Sequence, residues 1–179
     1  MSNLDLLKKL IKIESISPND NGCFDVIKQQ FEGLDFSFEE TNYKNISNLV
    51  ITNGNSKNKT FCFLGHTDVV PPSPESEWTV PPFSGEIIDN KIYGRGAADM
   101  KGGVACFISA LKEFLSENKD PSFNIMVLLN SNEEGKLENG KVDRVINEMI
   151  DKDKFIDFCL IGEPSSSKKV GDVIRIGRR

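Results

Sequence analysis

Paired cysteines, a second histidine and an excess of basic residues are all missing from this 179-residue sequence. The four cysteines (Cys23, Cys62, Cys106 and Cys159) lie far apart without a C-x-x-C pair, and the last three sit inside apolar runs. This pattern indicates buried free thiols in a reducing cytoplasm and argues against a disulfide framework.

The charge balance is acidic, with 22 Lys and Arg against 27 Asp and Glu, which gives a net charge of −5. Nucleic acid and anionic membranes are therefore poor partners, because both reward clustered Lys and Arg. No apolar stretch is long enough to cross a bilayer, and the first ten residues interleave Asp and Lys with Leu, so we see no signal peptide. We expect a cytoplasmic globular protein whose acidic surplus serves solubility, with some carboxylates available for cations.

Alternating helical and strand-like segments predict the fold class. Helical spacing of apolar residues predicts helices over about 4–13, 24–31, 104–115 and 142–149. Strand-like stretches cover 34–41, 46–52, 60–64, 124–130, 157–162 and 170–176. The runs in 60–64, 124–130 and 157–162 have the unbroken apolar pattern of buried strands. We expect an α/β fold with a mixed, largely parallel sheet and helices on both faces.

Two connecting segments have recognisable compositions. Five prolines lie between Pro71 and Ser84, which indicates an ordered loop with Trp78 as its anchor. Residues 87–93 are typical of a small hairpin that turns at Asp89-Asn90.

Candidate functional residues follow the strands, where α/β sheets gather their active groups. His66 comes directly after the strand at 60–64, in Gly65-His66-Thr67-Asp68. A lone histidine is more often a surface or hydrogen-bonded core residue. Here, however, Asp68 can hold one ring nitrogen while the other binds a metal ion.

Acidic residues occupy three comparable positions. Asp99 lies in a glycine-rich segment before the 104–115 helix. One alternative for this segment is a phosphate-binding loop, which the negative charge of Asp99 disfavours. The other alternative is that Asp99 is the N-cap of the helix. Glu133 and Glu134 follow the strand at 124–130, and Glu163 follows the strand at 157–162. Carboxylates with imidazole suit zinc, cobalt or manganese, and two cations about 4 Å apart are a common device for hydrolysing amides.

The ordered motifs of the sequence resemble those of the zinc-dependent acetylornithine deacetylase, aminoacylase and carboxypeptidase family. The motifs are HTDVVP (66–71), WTVPPF (78–83), YGRGAADMKGG (93–103), SNEEG (131–135) and GEPSS (162–166). Within the family, GRGAADMKG, IGEPSS and VGDVIRIGRR look closest to the desuccinylase branch, which removes succinate from N-succinyl-diaminopimelate on the route to lysine. The resemblance implies a catalytic domain of the zinc aminopeptidase or carboxypeptidase type, acting on a small-molecule substrate.

The resemblance also implies the metal ligands. His66, Asp99 and Glu163 would hold one Zn²⁺, with Co²⁺ as an alternative metal. Asp99 would bridge to a second ion, held also by Glu134.

Three further roles follow from the same resemblance. Glu133 would be the general base, Asp68 would orient His66, and Arg178 would contact substrate. Asn132 stands where the family pattern has Asp, a minor departure because that position is not a transferred ligand.

A larger departure is the missing second histidine, which the family supplies to the second metal from a C-terminal stretch. Family members also carry an inserted dimerisation or lid domain, which would begin just after Arg179. We therefore interpret 1–179 as the N-terminal portion of the catalytic domain, with the family's homodimer contacts absent. One metal should bind better than two, and hydrolytic activity should be very low or nil.

Two other functions stay open at this level. One is a related deacetylase or dipeptidase, and the other is a non-catalytic metal-binding remnant. A sheet that lacks its later strands would leave an edge and an apolar face uncovered, so we expect poor stability or self-association.

Overall fold

The computed structural model describes residues 2–54, 58–136, 142–151, 155–166, 168–169 and 173. The helices are α1 (Asn3–Ile11), α2 (Cys23–Lys28), α3 (Gly102–Glu117) and α4 (Val142–Asp151). The strands are β1 (Ser37–Tyr43), β2 (Ile46–Thr52), β3 (Thr60–His66), β4 (Ile87–Ile88), β5 (Lys91–Ile92), β6 (Asn124–Asn130) and β7 (Phe158–Ile161).

In the part of the chain that the structure describes, five strands form the central sheet, in the order β1-β2-β6-β3-β7. Strand β3 is parallel to both β6 and β7, whereas β2 is antiparallel to both β1 and β6. Four of the five strands therefore point in one direction and β2 opposes them. This confirms the expected mixed, largely parallel sheet.

Helices cover both faces of the sheet, as expected. Buried residues of α1, α2 and α3 pack with one face of the strands, including Phe63 of β3 and Val127 of β6. On the other face, Val145 and Met149 of α4 pack with Cys62 and Leu128. Strand β6 lies between these layers and all seven of its residues are buried.

Local sequence explains where two of the elements begin or turn. Helix α1 starts with a capping box, in which the Ser2 hydroxyl accepts from the backbone N–H of Asp5 while the Asp5 side chain accepts from the backbone of Ser2. The β4–β5 hairpin turns at Asp89 and Asn90, whose positive φ angles of 48° and 60° fit a tight two-residue turn. The predicted turn is therefore confirmed.

Three expectations are corrected or left outside the described residues. The run 157–162 forms a strand, but its four strand residues are exposed because β7 lies at the edge of the sheet. Of the four free cysteines, Cys23 and Cys62 are buried, but Cys106 and Cys159 are exposed. Most of the predicted 170–176 strand falls outside the described residues.

The Pro-rich loop after β3 contains one short 3₁₀ turn, Glu75–Glu77. Trp78 follows this turn, and the guanidinium carbon of Arg95 lies 5.1 Å from the centre of its ring.

The described helices include none that is both long and apolar enough to span a bilayer.

Candidate metal centre

The direction of the strands gathers the candidate side chains at one end of the sheet. His66 ends β3 and lies opposite Asn130, the last residue of β6. Leu64 lies opposite Ile161, the last residue of β7. Because these three strands are parallel, the segments that follow them leave from the same end.

His66 is buried at this end, with 1% of its surface exposed. Its Nδ1 lies 2.9 Å from the backbone carbonyl oxygen of Asp68. A carbonyl can only accept, so Nδ1 carries a proton, and Nε2 is the nitrogen that becomes unprotonated when the ring loses its charge. That Nε2 lies 3.2 Å from Oδ1 of Asp99 and 3.5 Å from Oε1 of Glu163.

Asp68 connects His66 to the segment after β6. Its carboxylate is fully buried and lies 3.5 Å from Nδ1 of His66. The two carboxylate oxygens accept hydrogen bonds of 3.1 Å from the backbone N–H groups of Glu133 and Glu134. The hydroxyl of Ser17 also donates to this carboxylate. Asp68 therefore fixes the two glutamates as well as the ring that the sequence predicted it to orient.

Asp99 lies in an irregular helical segment, Ala97–Lys101, immediately before α3. Helix α3 begins directly after Lys101, two residues beyond Asp99, so Asp99 does not occupy the N-cap position of this helix. A Cβ atom on Gly103 would lie only 2.5 Å from the carbonyl oxygen of Gly162. Glycine at position 103 thus lets the segment after β7 approach α3, which brings Glu163 next to Asp99.

The candidate ligands form two overlapping groups, and the potential ligand atoms within each group lie within 4.8 Å of one another. One group is His66, Asp99 and Glu134; the other is His66, Glu133 and Glu163. The structure therefore brings together all five residues that the sequence placed at the metals or beside them. In the second group, Glu133, which we expected to be the general base, lies close enough to His66 and Glu163 to bind the same ion. Arg178, the candidate substrate-binding residue, lies outside the described residues.

Electrostatics at the site favour a bound cation. Burial lowers the pKa of His66, but its contacts with Asp68 and the charge of Glu163 outweigh burial and raise that pKa to about 9. Burial, together with the carboxylates of Asp99 and Glu133, raises the pKa of Glu163 to about 7. The pKa of Glu134 is also raised, first by burial and then by Asp99. Carboxylates crowded in this way repel one another, and a divalent cation between them would relieve the repulsion.

The donor set fits a transition metal. One imidazole nitrogen faces several carboxylate oxygens, a combination that suits zinc, cobalt or manganese. The second ring nitrogen is held by a backbone carbonyl, which is the arrangement that orients histidine ligands. Asp99, with 49% of its side chain exposed, and Glu163, with 37%, leave the site open to solvent.

Three supporting residues were missed by sequence reasoning. Ser17 lies outside all the motifs, yet its hydroxyl donates to the carboxylate of Asp68. Asp20 accepts from the hydroxyl of Thr67, next to His66. Lys101 is fully buried and donates from Nζ to the carbonyl oxygens of Leu10 and Ile13, both at 2.8 Å. The sequence carries no signal that would have identified Lys101, because lysine is a residue type that is almost always exposed.

Comparisons with known proteins agree with this geometry. The family model described as "Peptidase family M20/M25/M40" matches residues 62–177. Proteins named succinyl-diaminopimelate desuccinylase from Psychromonas ingrahamii and Methylococcus capsulatus are 46% and 44% identical over 176 residues, covering 98% of this chain and 46% of each relative. The chain thus spans about half the length of these curated relatives.

Solved structures show the same fold. The M20 family metallo-carboxypeptidase Sso-CP2 from Sulfolobus solfataricus superposes with a TM-score of 0.75 at 25% identity, covering 93% of this chain and 38% of that chain. Human carnosine dipeptidase 1 superposes with a TM-score of 0.74 at 24% identity, covering 89% of this chain and 38% of that chain.

Proposed function

The chain belongs to the M20/M25/M40 peptidase family of metal-dependent hydrolases, and on this basis we propose that it is the metal-binding part of an enzyme that removes succinate from N-succinyl-LL-2,6-diaminopimelate. Relatives carrying the desuccinylase name at 42–46% identity support this substrate. In this proposal the reaction belongs to lysine and diaminopimelate biosynthesis, in the cytoplasm.

One observation carries the proposal, namely the position of Nε2, the ring nitrogen of His66 that does not contact Asp68. It lies between Asp99 and Glu163, at 3.2 Å and 3.5 Å. These three residues would hold one metal ion, and Asp99 with Glu134 would hold a second. Zinc fits this donor set, and cobalt is an alternative with the same ligand preferences.

When bound, the metal ions would lower the pKa of a water molecule and polarise the amide carbonyl of the substrate. The residues of the chain supply the remaining functions. Glu133 is exposed at the site and would accept the proton of the attacking water and pass it to the leaving amine. The carboxylate of Asp68 would keep Glu133 in place by accepting from the backbone N–H of Glu133. The backbone carbonyl of Asp68 would keep the His66 ring in the tautomer that presents Nε2.

The chain would supply only part of the active site. In the proposal, residues 1–179 are the N-terminal portion of the catalytic domain. A further histidine ligand, the lid contacts to the small-molecule substrate and the homodimer interface would come from polypeptide beyond the matched region.

The test is an assay of a chimera that joins this chain to the unmatched C-terminal half of the Psychromonas ingrahamii relative. We expect zinc-dependent hydrolysis of N-succinyl-diaminopimelate, with kcat/KM about 100-fold above that for N-acetylornithine or a dipeptide. Glu133→Gln should lower kcat by about 10²–10⁴-fold. The matched control is Glu117→Gln, at the far end of α3 on an exposed residue, which should leave kcat unchanged.

A second candidate is a metallo-carboxypeptidase or dipeptidase, favoured by the superposition on the Sulfolobus solfataricus carboxypeptidase. Preferred cleavage of a dipeptide by the chimera would establish that activity and reject the desuccinylase. A chimera that binds zinc and hydrolyses none of the three substrates would instead support the non-catalytic metal-binding alternative.

A further inference from the structure

Two cysteines that are far apart in the sequence stand side by side in the central sheet. Cys62 lies on β3 and Cys159 lies on β7, and the two residues are direct partners in the parallel pairing of these strands. Side chains at paired positions of neighbouring strands project from the same face of a sheet. The pairing therefore brings two thiols together, although the sequence contains no C-x-x-C motif.

The spacing of the two strands suits a disulfide bond. Neighbouring strands lie about 4.8 Å apart, and cysteines joined by a disulfide have Cα atoms about 4.4–6.8 Å apart. The thiol of Cys62 is also close enough to donate a hydrogen bond to the thiolate of Cys159. This juxtaposition depends only on the pairing of β3 with β7, and not on the exposure of either residue.

The two thiols differ in acidity. The hydrogen bond from Cys62 stabilises the thiolate of Cys159 and lowers the pKa of Cys159 to about 7, although burial acts in the opposite direction. The same contact, followed by burial, raises the pKa of Cys62. By contrast, burial raises the pKa of Cys23 on α2 to about 11. The thiolate is the reactive form of cysteine, so Cys159 is the nucleophile of the pair.

We propose that Cys62 and Cys159 are a peroxide-sensitive thiol pair that closes reversibly into a disulfide between β3 and β7. Transient disulfides of this kind are compatible with a reducing compartment, where structural disulfides are rare. The pair is a modification site separate from the candidate metal centre, and it does not depend on hydrolysis.

Hydrogen peroxide is the oxidant, and the reaction has two steps. In the first step, the thiolate of Cys159 attacks a peroxide oxygen and the O–O bond breaks. The sulfur becomes a sulfenic acid, and the hydroxide that leaves takes up the proton that Cys159 had released. In the second step, the sulfur of Cys62 attacks the sulfur of the sulfenic acid, so an S–S bond forms and the S–O bond breaks. The departing hydroxide takes the proton of the Cys62 thiol. Two thiols and one peroxide thus give one disulfide and two water molecules.

The second step is favoured by the first. The charge and the hydrogen bond of the Cys159 thiolate hold the pKa of Cys62 above its usual range. A sulfenic acid is uncharged, so its formation removes both effects and makes the Cys62 thiol easier to deprotonate.

The same strand spacing makes the bond reversible. Disulfide-bonded cysteines have Cβ atoms about 3.8 Å apart, which is closer than the spacing of about 4.8 Å between neighbouring strands. Closing the bond therefore strains the pair, and strained disulfides are readily reduced.

The position of the pair relates it to the metal centre. Cys62 precedes His66 by four residues on β3, and Cys159 precedes Glu163 by the same number of residues. A bond between the two cysteines would therefore join the two strands that carry these candidate ligands.

The experiment treats the reduced chain with hydrogen peroxide in the presence of a chelator, so that no metal ion occupies the thiols. We expect the number of free thiols to fall from four to two. Digestion with trypsin should then give peptides 60–91 and 155–168 joined by a disulfide, with Cys23 and Cys106 recovered as thiols. Reduced glutathione should restore all four thiols, with release of oxidised glutathione.

A matched pair of variants separates the two roles. Cys62→Ala removes both the hydrogen-bond donor and the second thiol, so Cys159 should stop at the sulfenic acid, which dimedone captures. The pH at which alkylation of Cys159 is half-maximal should rise from about 7 towards about 8.5, the pKa of an unperturbed thiol. Cys106→Ala removes an exposed thiol from α3 and should change neither the disulfide nor this pH profile.

Circular dichroism shows whether each variant keeps the fold. Should Cys62→Ala unfold, Cys62→Ser preserves the size of the side chain and a donor while removing the second thiol. This variant should also accumulate the sulfenic acid of Cys159.

Three results would overturn the proposal. They are four free thiols after peroxide treatment, a disulfide that joins other cysteines or two copies of the chain, and a Cys159 in folded Cys62→Ala that neither reacts with dimedone after oxidation nor changes its alkylation profile.

Discussion

The buried carboxylate of Asp68 accepts a 3.1 Å hydrogen bond from the backbone N–H of Glu133. The neighbouring N–H of Glu134 binds the other carboxylate oxygen at the same distance, and the His66 ring contacts the same residue. The carboxylate thus fixes both glutamates after β6, while the backbone carbonyl oxygen of Asp68 accepts from Nδ1 of His66 and the carboxylate lies 3.5 Å from the same nitrogen. A substitution at Asp68 should therefore affect metal binding although Asp68 is not itself placed as a ligand.

We predict that Asp68→Asn lowers zinc affinity by about 10–100-fold, the usual cost of losing a partner that orients metal ligands. The side-chain amide of asparagine has one acceptor oxygen, so it can accept from only one of the backbone N–H groups of Glu133 and Glu134. The other N–H would face the NH₂ group and lose its hydrogen bond. Isothermal titration calorimetry with zinc measures the effect. Asp120→Asn, which removes the same charge from an exposed loop residue, is the control and should bind zinc like the unmodified chain. Equal affinities for both variants would mean that Asp68 has no such role.

Zinc stoichiometry is a second prediction. In the proposed site, His66, Asp99 and Glu163 would offer three ligands to one ion, whereas Asp99 and Glu134 would offer two to another. Catalytic zinc sites normally have three protein ligands, so one ion should bind tightly and the second weakly. Native mass spectrometry after exhaustive dialysis should show one zinc per chain. Two retained ions with ordinary turnover on N-succinyl-diaminopimelate would contradict both the ligand count and the expected lack of activity.

The sequence predicted which side chains converge at the end of the sheet, but not which residues support them. His66, Asp99, Glu133 and Glu163 could be located because each follows an apolar strand or precedes a helix, and parallel strands bring such positions together. The support around them was not predictable, because the hydroxyl of Ser17 and the carboxylate of Asp68 are 51 residues apart and meet only in the folded chain.

The exposure of β7 was missed for a different reason. An apolar run such as Phe158–Ile161 indicates a strand with apolar neighbours, but it does not say whether the same chain supplies them. Cys159 illustrates the point, since it was expected to be buried and is exposed at the edge of the sheet.

Metal binding should weaken as the pH falls. Without metal, the pKa of His66 is about 9 and that of Glu163 about 7, so at pH 7 the ring is mostly protonated and the carboxylate is partly protonated. Zinc requires both groups deprotonated, so binding releases protons and the affinity drops by about tenfold per pH unit for each proton released. Calorimetry in buffers of different ionisation enthalpy should show the release at pH 7. An affinity that is constant between pH 6 and 8 would mean that neither group is a ligand.

Lys101 provides the last prediction, which concerns stability. Its buried ammonium donates to the carbonyl oxygens of Leu10 and Ile13, at and just beyond the C-terminal end of α1, where backbone carbonyls lack helical partners. Burial lowers the pKa of Lys101. Both hydrogen bonds can form whether the amine is charged or neutral, because a neutral amine still has two N–H donors. Lys101→Met keeps a side chain of similar length but removes both hydrogen bonds, while the carbonyl oxygens of Leu10 and Ile13 keep those from the backbone N–H groups of Ile13 and Ser15. The free energy of unfolding should therefore fall by about 1–3 kcal/mol, the contribution of the two lost bonds. Lys9→Met removes the same charge from an exposed position of α1 and should change it by less than about 0.5 kcal/mol. Urea unfolding followed by circular dichroism compares the two, and equal midpoints would show that the buried ammonium does not stabilise the junction between α1 and the Asp99 segment.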